Sequence, residues 1–277
     1  VVYMQDFINE IVDRDFFYHH SLSNEPERNY FNLHMHEAFE IFYYIRGNAR
    51  MNIEDRLYAL SPSDLYFICP GRFHRAIPES RAPYERRVIR FDYSFSRLFD
   101  PGDLLIDAIS RFGAVNGKIV AESSIPALFT DLDRFIDDHS ETRRIACISI
   151  LSRLMIDISK LCAESQAPVY ESDTSERVAS VIEYINKNLT DDLSLDMIAS
   201  DFFVSKYYLS RIFKESTGSS IGDFIIKKRL VLARRLIVGG STPGNACIQS
   251  GFADYSSFYK SYRKHFGLPP SACSSLR

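Results

Sequence analysis

The sequence predicts a two-domain α+β protein: a β-barrel with following helices, then an all-α part made of two helix-turn-helix units. Three observations carry this expectation. Residues 30–95 alternate apolar and polar side chains between turn signals, the period of strands with one buried face. From residue 176 the apolar period lengthens to that of helices, and a unit of short helix, turn and longer helix occurs twice, 49 residues apart. Charge divides along the same line. Residues 174–277 carry 14 Lys and Arg against 9 Asp and Glu, and residues 1–173 carry 19 against 27, within a net charge of −3.

The 277 residues, 45% hydrophobic and 25% charged, suffice for two cores without disulfides or metal staples. Five cysteines (69, 147, 162, 247, 273) form no CxxC pair, which suits free thiols in a reducing compartment. No basic segment followed by an apolar stretch opens the chain, and the longest uncharged run, 236–253, is broken by Gly, Ser, Thr and Pro. No signal peptide and no membrane span are therefore expected, and the cytoplasm is the expected location. The polar stretch SQAPVYESDT at 165–174 reads as a linker. It divides a β-rich domain with following helices, 1–164, from a helical domain, 175–277.

In the first domain, turns are expected at Arg46-Gly47-Asn48, Ser61-Pro62-Ser63-Asp64 and Pro70-Gly71. Many short strands between such turns argue for a barrel or sandwich. Within them stands His34-x-His36-x-x-x-Glu40. On one strand, positions i, i+2 and i+6 share a face, so two imidazoles and a carboxylate converge, with His74 as a fourth group. Such a set suits zinc, iron, nickel or manganese. A polar ligand held by hydrogen bonds, or a purely structural cluster, is also open at this point. Tyr44 continues the inward parity of Glu40, and Arg50 and Tyr66 are polar residues on neighbouring strands; these three are further ligand-binding candidates. Helices are expected near 125–138 and 143–162, the second with an apolar face wide enough to cover the barrel or meet a second copy.

In the second domain a helix from Glu176 leads to Ser194, the expected N-cap of a short helix, and a turn at 202–204. Ser205 then caps Lys206–Thr217, which closes at Gly218. A connecting helix, Ile221–Val238, precedes the second unit. There Thr242 caps a helix opening at Pro243, Gly251-Phe252 turns the chain, and Asp254 caps a helix ending near Phe266. A connecting helix of about 18 residues spans roughly 27 Å. Helix-turn-helix half-sites on one face of B-DNA lie about 34 Å apart, so one chain reaches successive major grooves. Base-edge contacts are expected from Tyr207, Ser210 and Arg211 in the first unit, and from Tyr255, Ser256, Tyr259 and Lys260 in the second. Arg211 is the sharpest candidate, because guanidinium binds guanine bidentately. Lys206, Lys214, Arg263 and Lys264 are expected on phosphates.

The segments LSLDMIA, VSKYYLSRIFKESTG, KKRLVLARRLI and QSGFADYSSFYKSYRKHFGLPP resemble the AraC/XylS transcription regulators over about 178–270. That resemblance implies two helix-turn-helix units binding double-stranded DNA as a pair, a small-molecule effector, a homodimer, and RNA polymerase as a further candidate partner. The histidine pattern from His34 to Gly47 resembles the first half of a cupin metal motif; Cys69-Pro70-Gly71 departs from its second half. The function expected is that of a ligand-responsive activator with a sugar-type or other polar effector, and not an enzyme. The alternative is a metal-dependent cupin enzyme with an appended DNA-binding domain; no separate general base is visible for it. A sequence-indifferent DNA binder is disfavoured, since a net of +5 in 174–277 is small for binding through phosphates alone.

Overall fold

A computed structural model of the protein describes residues 7–26, 31, 33–54, 56–110, 114–115, 120–164 and 176–275. The expected linker, 165–174, lies outside them. The chain divides into two compact units, 1–52 with 57–171, and 53–56 with 172–277. The fold is mixed α+β, with antiparallel sheets in the first unit and helices in the second.

The sheets are built from β1 (Phe7–Val12), β2 (Phe16–Ser23), β3 (Phe39–Arg46), β4 (Ala49–Ile53), β5 (Arg56–Ala59), β6 (Leu65–Ile68), β7 (His74–Pro78), β8 (Tyr84–Phe91) and β9 (Ala114–Val115). The order is β1-β2-β8-β3-β6-β9 in the larger sheet and β5-β4-β7 in the smaller. Turns fall where the sequence signals them, with Gly47 at φ 138°, Ser63 at φ 71° and Gly71 at φ 75°. β1 and β2 lie upstream of the stretch expected to form strands. β2 is covered on both faces, so almost every position is buried and the alternation that reveals a half-exposed strand is missing.

Registers across the larger sheet set up the interior. Val88 of β8 lies opposite His19 of β2 and Phe42 of β3, and Arg90 lies opposite Phe17 and Glu40. Side chains two residues apart share a face, so Arg86, Val88 and Arg90 look the same way as His19, Glu40 and Phe42.

The helices described in full in this unit are α1 (Tyr93–Ser96), α2 (Leu104–Ser110), α3 (Ile125–Asp133) and α4 (Glu141–Glu164). In α4, Leu151, Leu154, Met155, Ile158 and Cys162 are fully buried, and α2 and α3 pack against it. Its wide apolar face is therefore largely used within its own unit. Ile145 and Ile156 remain exposed.

The second unit follows the expected helices closely: α5 (Glu176–Lys187), α6 (Leu195–Asp201), α7 (Lys206–Thr217), α8 (Ile221–Val238), α9 (Pro243–Gln249) and α10 (Tyr255–Phe266). Each cap acts as its residue type suggests. The side chains of Ser194, Ser205, Ser220, Thr242 and Asp254 each accept from the backbone N–H three residues on, satisfying donors a helix start leaves open. Gly218 and Gly267 close α7 and α10 in the left-handed conformation. In the first helical unit Leu209 and Phe213 are buried, and Phe213 meets Phe224 of α8 edge-on at 5.3 Å. In the second, Phe258 and Tyr262 pack with Leu230, Ala233, Ile237, Ala246 and Cys247.

Candidate nucleic-acid interface and ligand cavity

The two long helices of the helix-turn-helix units, α7 and α10, each bury one stripe and expose the other. On α7, Lys206, Tyr207, Arg211 and Lys214 are exposed and Ser210 is half-buried. On α10, Tyr255, Ser256, Lys260, Arg263 and Lys264 are exposed and Tyr259 is half-buried. Tyr207 is 79% exposed, which core packing does not explain. Lys206 pairs with Asp196 at 3.1 Å, so part of its charge is compensated locally. The chain turns sharply ahead of each long helix, with Phe203 at φ 54° before α7 and Gly251 at φ 86° before α10.

The first unit holds a cavity of about 150 Å³ between its two sheets, lined by His19, Phe31, His34, Glu40, Phe42, Met51, His74, Ala76, Arg86, Val88 and Arg90. Of the residues singled out in the sequence, His34, Glu40 and His74 line it. His36, Tyr44, Arg50 and Tyr66 do not. Tyr44 is fully buried beside the Tyr84 ring, Tyr66 is packed against Phe42 and Tyr58, and Arg50 pairs with Glu79 at 2.7 Å. His19, Arg86 and Arg90 line it without having been singled out. For the two arginines the signal is the charge-rich run RRVIR at 86–90, which by itself reads as a solvent-facing edge.

The histidine cluster forms by a route different from the one expected. His34, His36 and Glu40 do not share one strand, because the chain bends at 37–38 before β3 begins. His34 is instead held against His74 by a reciprocal backbone pair, 3.1 and 2.9 Å long. The His34 and His74 rings lie 4.4 Å apart and those of His36 and His74 5.0 Å apart. Potential ligand atoms of His34, His36 and His74 all fall within 4.8 Å of one another.

His36 Nδ1 is 2.9 Å from the Ala38 carbonyl and His74 Nδ1 is 2.9 Å from the Arg72 carbonyl. A carbonyl only accepts, so each Nδ1 carries a proton, and each Nε2 turns inward, where it presents an N–H to Glu40 when the ring is doubly protonated and a lone pair when it is not. Glu40 meets both, at 2.9 Å from His36 Nε2 and 3.6 Å from His74 Nε2. Burial pushes the Glu40 carboxyl up, but His74 and His36 outweigh it and hold the group well below the usual carboxylate range. Burial pulls His74 down, and Glu40 more than reverses this. Histidines whose outer nitrogens are tied to backbone carbonyls are arranged as metal ligands are, so the residues present fit a divalent ion.

His19 behaves oppositely. Burial, then the charges of Arg86 and Arg90, push its pKa down to about 3 from 6.5. The unfolded chain then binds a proton that the folded one refuses, so this group's contribution is complete above about pH 6.5 and lost as pH falls. His19→Leu is expected to flatten the stability profile between pH 6.5 and about 5, where one proton is worth about 1.4 kcal/mol per pH unit. Denaturant melts of both proteins across that interval test this; parallel profiles would contradict it.

Sheets enclosing a polar cavity, followed by two capped helix-turn-helix units with exposed cations, define a ligand-sensing DNA-binding protein. Residues 21–98 match the AraC-like ligand binding domain and residues 198–275 a helix-turn-helix domain, together more than half of the chain. The chain belongs to the AraC family of transcriptional regulators. It is similar to the probable transcriptional regulator LumQ of Photobacterium leiognathi, 24% identical over 86% of this chain and 90% of that protein. It is also similar to the HTH-type transcriptional regulator YbfI of Bacillus subtilis, 21% identical over 80% of this chain and 79% of that one. Among solved structures, ToxT of Vibrio cholerae is 14% identical, with 95% of this chain and 99% of that chain covered and a TM-score of 0.39. Among the described residues no helix is long and apolar enough to cross a membrane.

Proposed function

We propose that this regulator reads two DNA elements with α7 and α10, and that a small polar effector in the sheet cavity changes how those helices are presented. The observation that carries the reading is the matched pair of capped helices, each burying one stripe and exposing tyrosines and cations on the other. Arg211 reads a base edge; Tyr207, Ser210, Tyr255, Ser256, Tyr259 and Lys260 supply the remaining base-side contacts. Lys214, Arg263, Lys264 and the partly compensated Lys206 hold phosphates. A ligand shifts the protein only through different affinities for two arrangements, so the effector must bind the DNA-competent one differently. We include activation rather than repression, no enzymatic activity, and homodimerisation in this reading; Ile145 and Ile156, exposed on α4, are its candidate contact.

Two substitutions separate the roles. Arg211→Ala is expected to relax preference at one base pair and cost about 1–3 kcal/mol there, measured by duplex titration over single-base variants. An equal loss on every duplex would remove it from base reading. Lys214→Ala is expected to weaken all duplexes alike and lower the salt dependence by about one counterion; an unchanged slope would take it off the phosphate backbone.

The inward Nε2 atoms favour a second feature of the same cavity, a divalent metal held by His34, His36, His74 and Glu40. Bound there, it would supply a fixed positive charge for an oxygen of the effector. Metal content per chain after purification tests it, and turnover accompanying a bound metal would favour the cupin-enzyme alternative.

A further inference from the structure

We propose that the ligand of the sheet cavity is a small organic anion whose carboxylate is clamped between Arg86 and Arg90. The proposal rests on the reading of this cavity as the effector site, and adds the chemical class of the effector.

Arg86 is only 6% exposed. Its guanidinium lies over the Phe31 ring at 4.3 Å and that of Arg90 over the Phe17 ring at 4.6 Å. Ring contact holds a guanidinium by its face and leaves N–H groups at its edge to find acceptors. Arg86 Nη1 and Arg90 Nε are buried and have no hydrogen-bond partner, and among the described residues no carboxylate forms an ion pair with either arginine. The one carboxylate in the lining, Glu40, is 2.9 Å from His36 and 3.6 Å from His74. Buried donors are ordinarily satisfied, and an uncompensated buried cation is costly. Buried Arg86 and half-buried Arg90, four residues apart on one strand with Val88 between them and facing one cavity, are a site prepared for a negative group.

Size and lining narrow the class. A cavity of about 150 Å³ is the size that admits a single six-membered ring. Phe42, Met51, Ala76 and Val88 supply the apolar part of its wall, suited to a short chain or ring carrying the carboxylate. Arginine matches a carboxylate as a planar fork. A neutral polyol would leave both charges uncompensated.

The test titrates the 277-residue chain by calorimetry, at fixed ionic strength, with acetate, butyrate and benzoate and with their amides. The expected result is that at least one carboxylate binds tenfold or more tightly than its amide. In Arg86→Met and Arg90→Met that preference falls to about onefold. Without ligand, Arg86→Met is expected to melt at or above the temperature of the unsubstituted chain, because it removes an uncompensated buried cation, and Arg90→Met, at a half-buried position, to melt close to that temperature. Arg86→Lys is expected to retain part of the preference. No carboxylate binding, amides binding as tightly, or a preference surviving in both Met variants would overturn the proposal. So would a preference abolished by a chelator in the unsubstituted chain, which would assign the anion to a metal. A labelled duplex in the same experiments separates the two readings. Tenfold carboxylate preference without any change in duplex affinity supports the clamp and defeats the effector reading. Amides that bind equally and change duplex affinity do the reverse.

Discussion

Phe258→Ala is expected to destabilise the second helix-turn-helix unit by about 3–5 kcal/mol. Phe258 is fully buried on α10, 5.2 Å from the Phe252 ring and 5.4 Å from the Tyr262 ring, above Leu230, Ala233 and Ile237 of α8. Removing the ring forfeits its transfer energy and leaves a cavity that helices pinned by Asp254 and Thr242 at their starts cannot close. Domains are stable by only about 5–15 kcal/mol, so one substitution consumes much of the margin. Duplex binding is expected to fall with it, because α10 no longer holds Tyr255, Ser256 and Lys260 on one face. Denaturant melts and duplex titration on the same preparation read both quantities. A loss below about 1 kcal/mol, far under the usual cost of emptying a packed site, would show that this core is not closed as described.

Gly251→Ala is expected to cost about 2–4 kcal/mol, out of proportion to one methyl group. Gly251 sits at φ 86°, and a Cβ there would lie 2.9 Å from Thr190 Cα and 3.0 Å from the Leu189 carbonyl oxygen. Both are backbone, and the Leu189 carbonyl is already engaged by Arg229 Nε at 2.9 Å. The obstruction therefore cannot rotate away. Gly218 is the internal control, being left-handed too, at φ 69°, with nothing within 4 Å of an added Cβ. Gly218→Ala carries only the conformational cost, about 1–2 kcal/mol. Comparable losses at the two positions, by thermal or denaturant melts, would mean that the contact with Thr190 and Leu189 does not matter.

The helical half was legible because its signals are local. A cap, a first-turn proline and a terminal glycine act within four residues of the bonds they make. Ser205, Thr242-Pro243 and Asp254 therefore announced α7, α9 and α10 almost to the residue. β3 and β6, buried at almost every position, were legible from the turns that bound them; β2, equally buried, had no such turn signal and no alternation to read. The histidines singled out in the sequence lie close together in the fold, but their assembly depends on the His34–His74 bridge, a pairing across 40 residues that no local spacing encodes. Arg86 and Arg90 were overlooked for a related reason. Charged residues on a strand ordinarily face water, and only the registers of β8 with β2 and β3 show that this face turns inward.

The paired reading of DNA is tested most directly by selecting bound duplexes from a random pool at physiological salt and sequencing them. Two short elements about one helical turn apart are the expected product, with Arg211→Ala eroding one base of one element. A single element, or no enrichment with and without a carboxylate ligand, would contradict the claim that α7 and α10 read DNA together.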